Sequence, residues 1–125
     1  MEHHNVAVIG LGRVGAVFLE RLLTRDLPGL NIVAVCDIAP TQGRRLAEEY
    51  GVPAKSIDEL VDMGDQVDIL FELTGNPQVR LDLRNRYFNA RNSHTVVLPE
   101  TVARMVWSLM GDGELPDVHA PQPVY

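Results

Sequence analysis

Three glycines, Gly10, Gly12 and Gly15, follow directly on the apolar run Val6-Ala-Val-Ile9, and an acidic residue, Asp37, closes the next apolar run. This order of residue types suits the holding of a dinucleotide. Gly10 permits a tight turn off a strand. Gly12 leaves room for the backbone to approach a pyrophosphate, whose charge is favoured by the N–H groups and dipole of a helix N-terminus. Gly15 lets that helix pack closely on its strand. Asp37 stands roughly 20 residues further on, where a carboxylate accepts hydrogen bonds from a ribose diol and disfavours a 2′-phosphate. NAD(H) is therefore expected over NADP(H), although Arg44 and Arg45 follow on the next helix and would soften the preference. The expected contacts are Gly10, Leu11, Gly12, Arg13, Val14 and Gly15 in the glycine turn, with Asp37 and Ile38 at the end of the second strand. The alternative is a β-turn-α unit whose glycines serve packing alone.

The elements that must position this turn alternate strand and helix. Strands are expected at about Val6–Ile9, Ile32–Cys36, Val52–Ala54, Val67–Leu73 and Thr95–Leu98. Pro53 limits the third to an edge. The first helix, Arg13 to Thr24, carries Val14, Val17, Phe18 and Leu22 on one face. Thr41 is placed to cap a helix running to Tyr50, with Leu46, Ala47 and Tyr50 inward and Gly51 as its stop. Ser56-Ile-Asp-Glu59 reads as a capping box. Asn76 followed by Pro77 opens a helix to about Ala90. In the last helix, Thr101 to Met110, Val102, Met105, Val106 and Leu109 form the inward stripe. Trp107 falls off that stripe, where it covers the sheet or marks an interface. Residues 1–110 read as one domain. From Gly111 onward, glycine and proline break every period, and residues 111–125 read as an extended tail or linker.

Such alternation implies an α/β fold, a doubly wound parallel sheet of about five strands. Ligands in such sheets lie at the carboxyl ends of the strands, where the strand order reverses. The glycine turn and Leu73-Thr74-Gly75-Asn76-Pro77 meet there. Thr74, Gly75 and Asn76 are accordingly candidate contacts on the far side of the crevice, with plain helix initiation as the alternative for Asn76 and Pro77.

Composition fits this assignment. The 125 residues are 46% hydrophobic and 22% charged, with a net charge of −6 and a pI near 5.1. The acidity disfavours nucleic acid and anionic membrane as partners. No apolar run approaches the roughly 20 residues of a membrane span, and the first residues lack the pattern of a secretion signal. Cys36 is the only cysteine and reads as a small buried hydrophobe, which fits a reducing cytoplasm. The histidines show no metal-ligand spacing. Arg80, Arg84, Arg86 and Arg91 make one helix basic, either as a solvated face or toward an acidic partner. A homodimer or a separate partner protein is possible.

The order Gly10-Leu-Gly-Arg-Val-Gly15, Val35-Cys-Asp37, Ala47-Glu-Glu-Tyr-Gly-Val52, Ser56-Ile-Asp-Glu-Leu60 and Val67-Asp-Ile-Leu70 resembles the NAD-binding domain of the glucose-fructose oxidoreductase and inositol dehydrogenase family. Asp68-Ile-Leu-Phe-Glu-Leu-Thr-Gly75 resembles the cofactor domain of homoserine and aspartate dehydrogenases. These resemblances run from Asn5 to about Glu100. They imply NAD as cofactor, with Gly10, Gly12, Gly15 and Asp37 on one side and Thr74, Gly75 and Asn76 on the other. Both families carry a lysine just past the fifth strand and hold substrate in a second domain. Here that place reads Val97-Leu-Pro-Glu-Thr101, and the only lysine is Lys55. No catalytic and no metal-binding residue is assigned, and Glu100 is the one group near that strand end suited to moving a proton. The segment Glu72 to Arg80, with Ala103 to Met110, is similar to Rossmann-like segments ahead of sensor modules in some bacterial two-component kinases. The expectation is a stand-alone NAD(H)-binding, oxidoreductase-like domain without turnover of its own. The alternatives are a regulatory nucleotide-binding module and a binder of coenzyme A or another adenine nucleotide.

Overall fold

Val6, Ala7, Val8 and Ile9 are at most 2% exposed in β1 (His4–Ile9), as a strand covered on both faces requires. The computed structural model describes residues 2–25, 27–37, 42–111 and 115. In it β1 lies between β2 (Leu30–Cys36) and β3 (Ile69–Glu72), and β4 (Val96–Pro99) pairs with β3. All pairings are parallel, in the order β2-β1-β3-β4. The chain leaves β1 to one side for β2 and to the other for β3, so the order reverses at β1. The architecture is the expected α/β one.

The helices cover both faces. On one, α1 (Arg13–Thr24) and α5 (Glu100–Met110) bury Val14, Phe18, Leu22, Ala103 and Trp107 against Val6, Val8, Val35 and Phe71. The rings of Phe18 and Phe71 meet edge to face, with centroids 4.9 Å apart. α2 (Gln42–Glu49) adds Ala47 to this core. On the other face, α3 (Ile57–Asp62) and α4 (Pro77–Asn89) bury Leu60, Leu83 and Tyr87 against Ala7, Ile9, Ala34 and Leu70. Ser56 and Glu59 form the capping box of α3. At the amino ends of the strands, Asp68 accepts from the Asn5 N–H at 2.6 Å and meets His94 Nε2 at 2.6 Å. The Asn5 hydrogen bond first, then the His94 one, holds the Asp68 carboxyl below its ordinary pKa. Arg86 pairs with Asp82 one turn back on α4 at 2.8 Å and ties α4 to α3 through Asp58.

Three sequence expectations are corrected. The segment Val52–Ala54 is no strand. It makes a single bridge between Ala54 and Val35, with Val35 N donating to Pro53 O (3.0 Å) and Lys55 N to Val35 O (2.8 Å). Pro53 has no N–H to extend the ladder, so four strands pair among the described residues. Tyr50 faces outward at 49% exposure. α2 stops at Glu49, Gly51 turns left-handed at φ +73°, and Val52 takes the inward place with its N–H on Ala47 O at 2.8 Å. In α5 the buried line is Ala103 and Trp107, with Val102 and Val106 of the expected stripe partly buried against the core, whereas Met105 and Leu109 are 57% and 81% exposed. Small Ala103 lets the helix approach, and the Trp107 ring, with Arg21 5.5 Å from its centroid, covers the sheet. Leu115, in the segment read as an extended tail or linker, is buried against the core. The other residues past Gly111, together with Ile38 and the proposed cap Thr41, lie outside the described residues.

Arg91 holds a left-handed φ of +56° just past α4, where Arg91 N donates to Phe88 O and Asn92 N to Tyr87 O. A glycine adopts that conformation without a Cβ penalty. Arg91→Gly is expected to raise stability by about 0.5–1 kcal/mol, the left-handed strain of roughly 1–2 kcal/mol being partly offset by a more flexible unfolded chain. A urea midpoint at or below that of the parent chain would contradict this.

Candidate functional site

The reversal of strand order leaves a gap above the carboxyl ends of β1 and β3. The glycine turn is pinned across it from both sides. Gly10 N donates to Cys36 O at 2.9 Å, and Leu73 N donates to Ile9 O at 2.8 Å. Gly10 has φ +89°, and a Cβ there would lie 2.7 Å from Thr74 N. A Cβ on Gly15 would stand 1.7 Å from Gly10 O. Both positions are thus closed to any side chain. Gly12 is the reverse case, with nothing within 4 Å of an added Cβ. Its open side faces the gap. α1 starts there, with Ala16 N on Gly12 O at 2.7 Å, no capping side chain and no acidic residue in its first turn. An anionic ligand group meets no resident carboxylate at that helix end.

The resulting crevice has a volume of about 310 Å³. Gly10, Leu11 and Gly12 form its floor. Cys36, Asp37 and Ile57 form the wall on the β2 side, and Thr74, Asn76 and Val79 the wall on the β3 side. Cys36, Asp37 and Ile57 also border an adjoining cavity of about 340 Å³ that reaches Lys55, Ser56 and Arg86. Burial pushes the Cys36 thiol up from its ordinary pKa, and the Asp37 and Glu59 carboxylates add to the shift. The Cys36 side chain is 5% exposed and lines the crevice from the core side.

The β3-side wall is held by its own hydrogen bonds. Asn76 caps α4 through Oδ1, which accepts from Gln78 N at 2.9 Å. The Thr74 hydroxyl accepts from Asn76 N at 3.1 Å and donates to Glu72 Oε1. Thr74 N donates to the same oxygen at 3.0 Å. Glu72, the last residue of β3, is 3% exposed.

Of the residues expected at the site, Gly10, Leu11, Gly12, Asp37, Thr74 and Asn76 line the crevice. Gly75 is exposed in the loop between Thr74 and Asn76. Gly15 packs beneath the turn. Arg13 is exposed on the first residue of α1, and the Val14 side chain is buried in the core, leaving only its backbone at the helix end. Ile57 and Val79 join the wall without having been expected. Their signal was present, since each sits in the first turn of a capped helix that starts at this end of the sheet. The buried Glu72 is marked in sequence only as a charge inside an apolar strand. Glu100, the candidate proton carrier, lies outside the crevice wall, with its carboxylate 3.0 Å from Arg104 Nε on the next turn of α5. No group of three or more potential metal ligands occurs among the described residues, and no described helix is long and apolar enough to cross a membrane.

Comparison with known proteins agrees with this geometry. A sequence profile of an oxidoreductase family with an NAD-binding Rossmann fold, GFO/IDH/MocA, matches residues 4–89. Inositol 2-dehydrogenase of Salmonella paratyphi B is 26% identical over 84 residues, covering 66% of this chain and 25% of that protein. Among solved structures, scyllo-inositol dehydrogenase from Lactobacillus casei superposes with a TM-score of 0.61 at 17% identity, over 88% of this chain and 34% of that one. Homoserine dehydrogenase from S. aureus superposes with a TM-score of 0.56 at 16% identity, over 89% and 31%. The match to the inositol dehydrogenase thus spans a quarter of its length.

Proposed function

The chain belongs to the oxidoreductase family with the NAD-binding Rossmann fold, and from that premise we propose that it binds NAD(H) in the crevice at the reversal of strand order, as the cofactor-holding part of a dehydrogenase-like system. The observation that carries this is the presence of Gly12 and Asp37 on one crevice. The open side of Gly12 fits a pyrophosphate at the start of α1, and Asp37 fits the diol of the adenosine ribose. The β3 side then receives the nicotinamide half, because the two halves of a dinucleotide straddle the strand at which the order reverses. When bound, the nicotinamide supplies hydride acceptance or donation. The chain's own residues bind and orient it. Pro99 and Glu100 stand where the sequence resemblance implies a lysine, so moving a substrate proton falls to groups other than a lysine at that point.

Titration calorimetry with NAD(H), NADP(H) and coenzyme A tests the proposal. NAD(H) is expected to bind tightest. NADP(H) is expected to bind about tenfold or more weakly, because the Asp37 charge meets the 2′-phosphate, and Asp37→Ser is expected to narrow that ratio. NADP(H) binding as tight as NAD(H) in the parent chain would overturn the role of Asp37. Tight coenzyme A binding without NAD(H) binding would overturn the dinucleotide assignment itself.

A further inference from the structure

We propose that Glu72 is a positioning residue for the nicotinamide end of the crevice, acting through Thr74. The inference rests on the NAD(H) site proposed above and adds a residue that neither the glycine turn nor Asp37 implies. Glu72 is the only charged residue among the described ones that is fully buried. A carboxylate is costly to bury unless hydrogen bonds compensate it. Here one oxygen, Oε1, takes two donors from one residue, the N–H and the hydroxyl of Thr74. That commits the Thr74 hydroxyl proton downward, and the same hydroxyl oxygen accepts from Asn76 N. These hydrogen bonds from Glu72 through Thr74 to Asn76 tie the end of β3 to the start of α4 at the β3 wall. They end at Asn76, whose Oδ1 is occupied by Gln78 N. The amide nitrogen of Asn76 remains on this wall as a side-chain donor.

The position of Glu72 gives these bonds their leverage. Its Cα stands in register with Ile9 on one neighbour and Pro99 on the other. The strand end is therefore rigid, and Gly10 lies against Thr74 with no room for a side chain between them. A wall built in this way presents its remaining donor without first having to be ordered, which favours a ligand end that offers an acceptor, such as the carbonyl of a carboxamide. In water-exposed loops of this length the same residues sample several turns. The buried acceptor selects one.

The test compares NAD(H) with ADP-ribose, which keeps the adenosine and pyrophosphate but lacks the nicotinamide. Glu72→Ala is expected to weaken NAD(H) binding by about fivefold or more, the scale of one ordinary hydrogen bond, with ADP-ribose affinity held within about twofold. Glu72→Gln keeps a carbonyl acceptor for both Thr74 donors and is expected to rescue NAD(H) affinity. Thr74→Val removes the hydroxyl at nearly constant volume and is expected to reproduce the loss, so the test survives a Glu72→Ala chain that fails to fold. An equal loss for both ligands would make Glu72 merely structural and overturn the proposal, as would no loss for either in Glu72→Ala and Thr74→Val. A parent chain that binds neither ligand would overturn the NAD(H) site itself, a result distinct from either.

Discussion

Gly12→Val is expected to lower NAD(H) affinity by well over tenfold, more than about 1.4 kcal/mol, in a chain that remains folded. The two halves of that expectation have separate physical sources. Gly12 has an extended backbone, φ −69° and ψ −161°, which valine adopts without strain. Nothing lies within 4 Å of an added Cβ, so no packing is disturbed. The space that the isopropyl group fills is the mouth of the crevice at the start of α1, where a pyrophosphate must approach the backbone. Calorimetry on the variant measures the loss, and its thermal midpoint verifies the fold. Full affinity in a folded variant would place the pyrophosphate elsewhere.

Gly15→Ala is expected to act on the fold. Alanine in a helix ordinarily gains about 0.5–1 kcal/mol over glycine. Here its Cβ would stand 1.7 Å from Gly10 O, and that carbonyl has nowhere to go. Gly10 is tied to Cys36 O through its own N–H and packed against Thr74 on the other side. α1 must therefore lift off the sheet, opening the contacts of Val14 and Phe18. Overpacking of this kind costs roughly 1–3 kcal/mol and occasionally more. The backbone clash puts this case at the upper end, and a net loss of about 2–2.5 kcal/mol is expected after the helix gain is subtracted. Urea unfolding measures it. A variant as stable as the parent would show that the turn and α1 are not in close contact.

The contrast between these two glycines was legible in the sequence, because the spacing of Gly10, Gly12 and Gly15 after an apolar strand assigns each a separate task. The strands and helices of the β1-α1-β2 unit and the capping box at Ser56 were legible for the same reason, since local chemistry decides them. What misled was tertiary choice. Val52–Ala54 has strand-forming valine, but Pro53 and one bridge to Val35 leave no ladder. α5 has two apolar stripes, and periodicity favours the one with Met105 and Leu109. The sheet instead takes the line of Ala103 and Trp107, because a small residue and a flat ring pack closer than two long flexible side chains. Of the site, Asp37 and Asn76 were readable from position. The part played by Glu72 was not, because a hydrogen bond to Thr74 leaves no mark on the pattern of residue types.

The central place of β1 also governs how quickly the crevice can arise. β1 pairs on one side with β3, and the bond from Asn5 N to Asp68 spans 63 residues. Closing so long a loop is an entropic cost met before any pairing rewards it, and parallel sheets with such distant partners form slowly for their length. Gly12 and Thr74 come to face one another only after that closure. A ligand that needs both walls therefore finds no purchase on the earlier, partly formed chain. Its stabilisation falls on the native state alone, so it slows escape from that state and leaves the rate of reaching it unchanged.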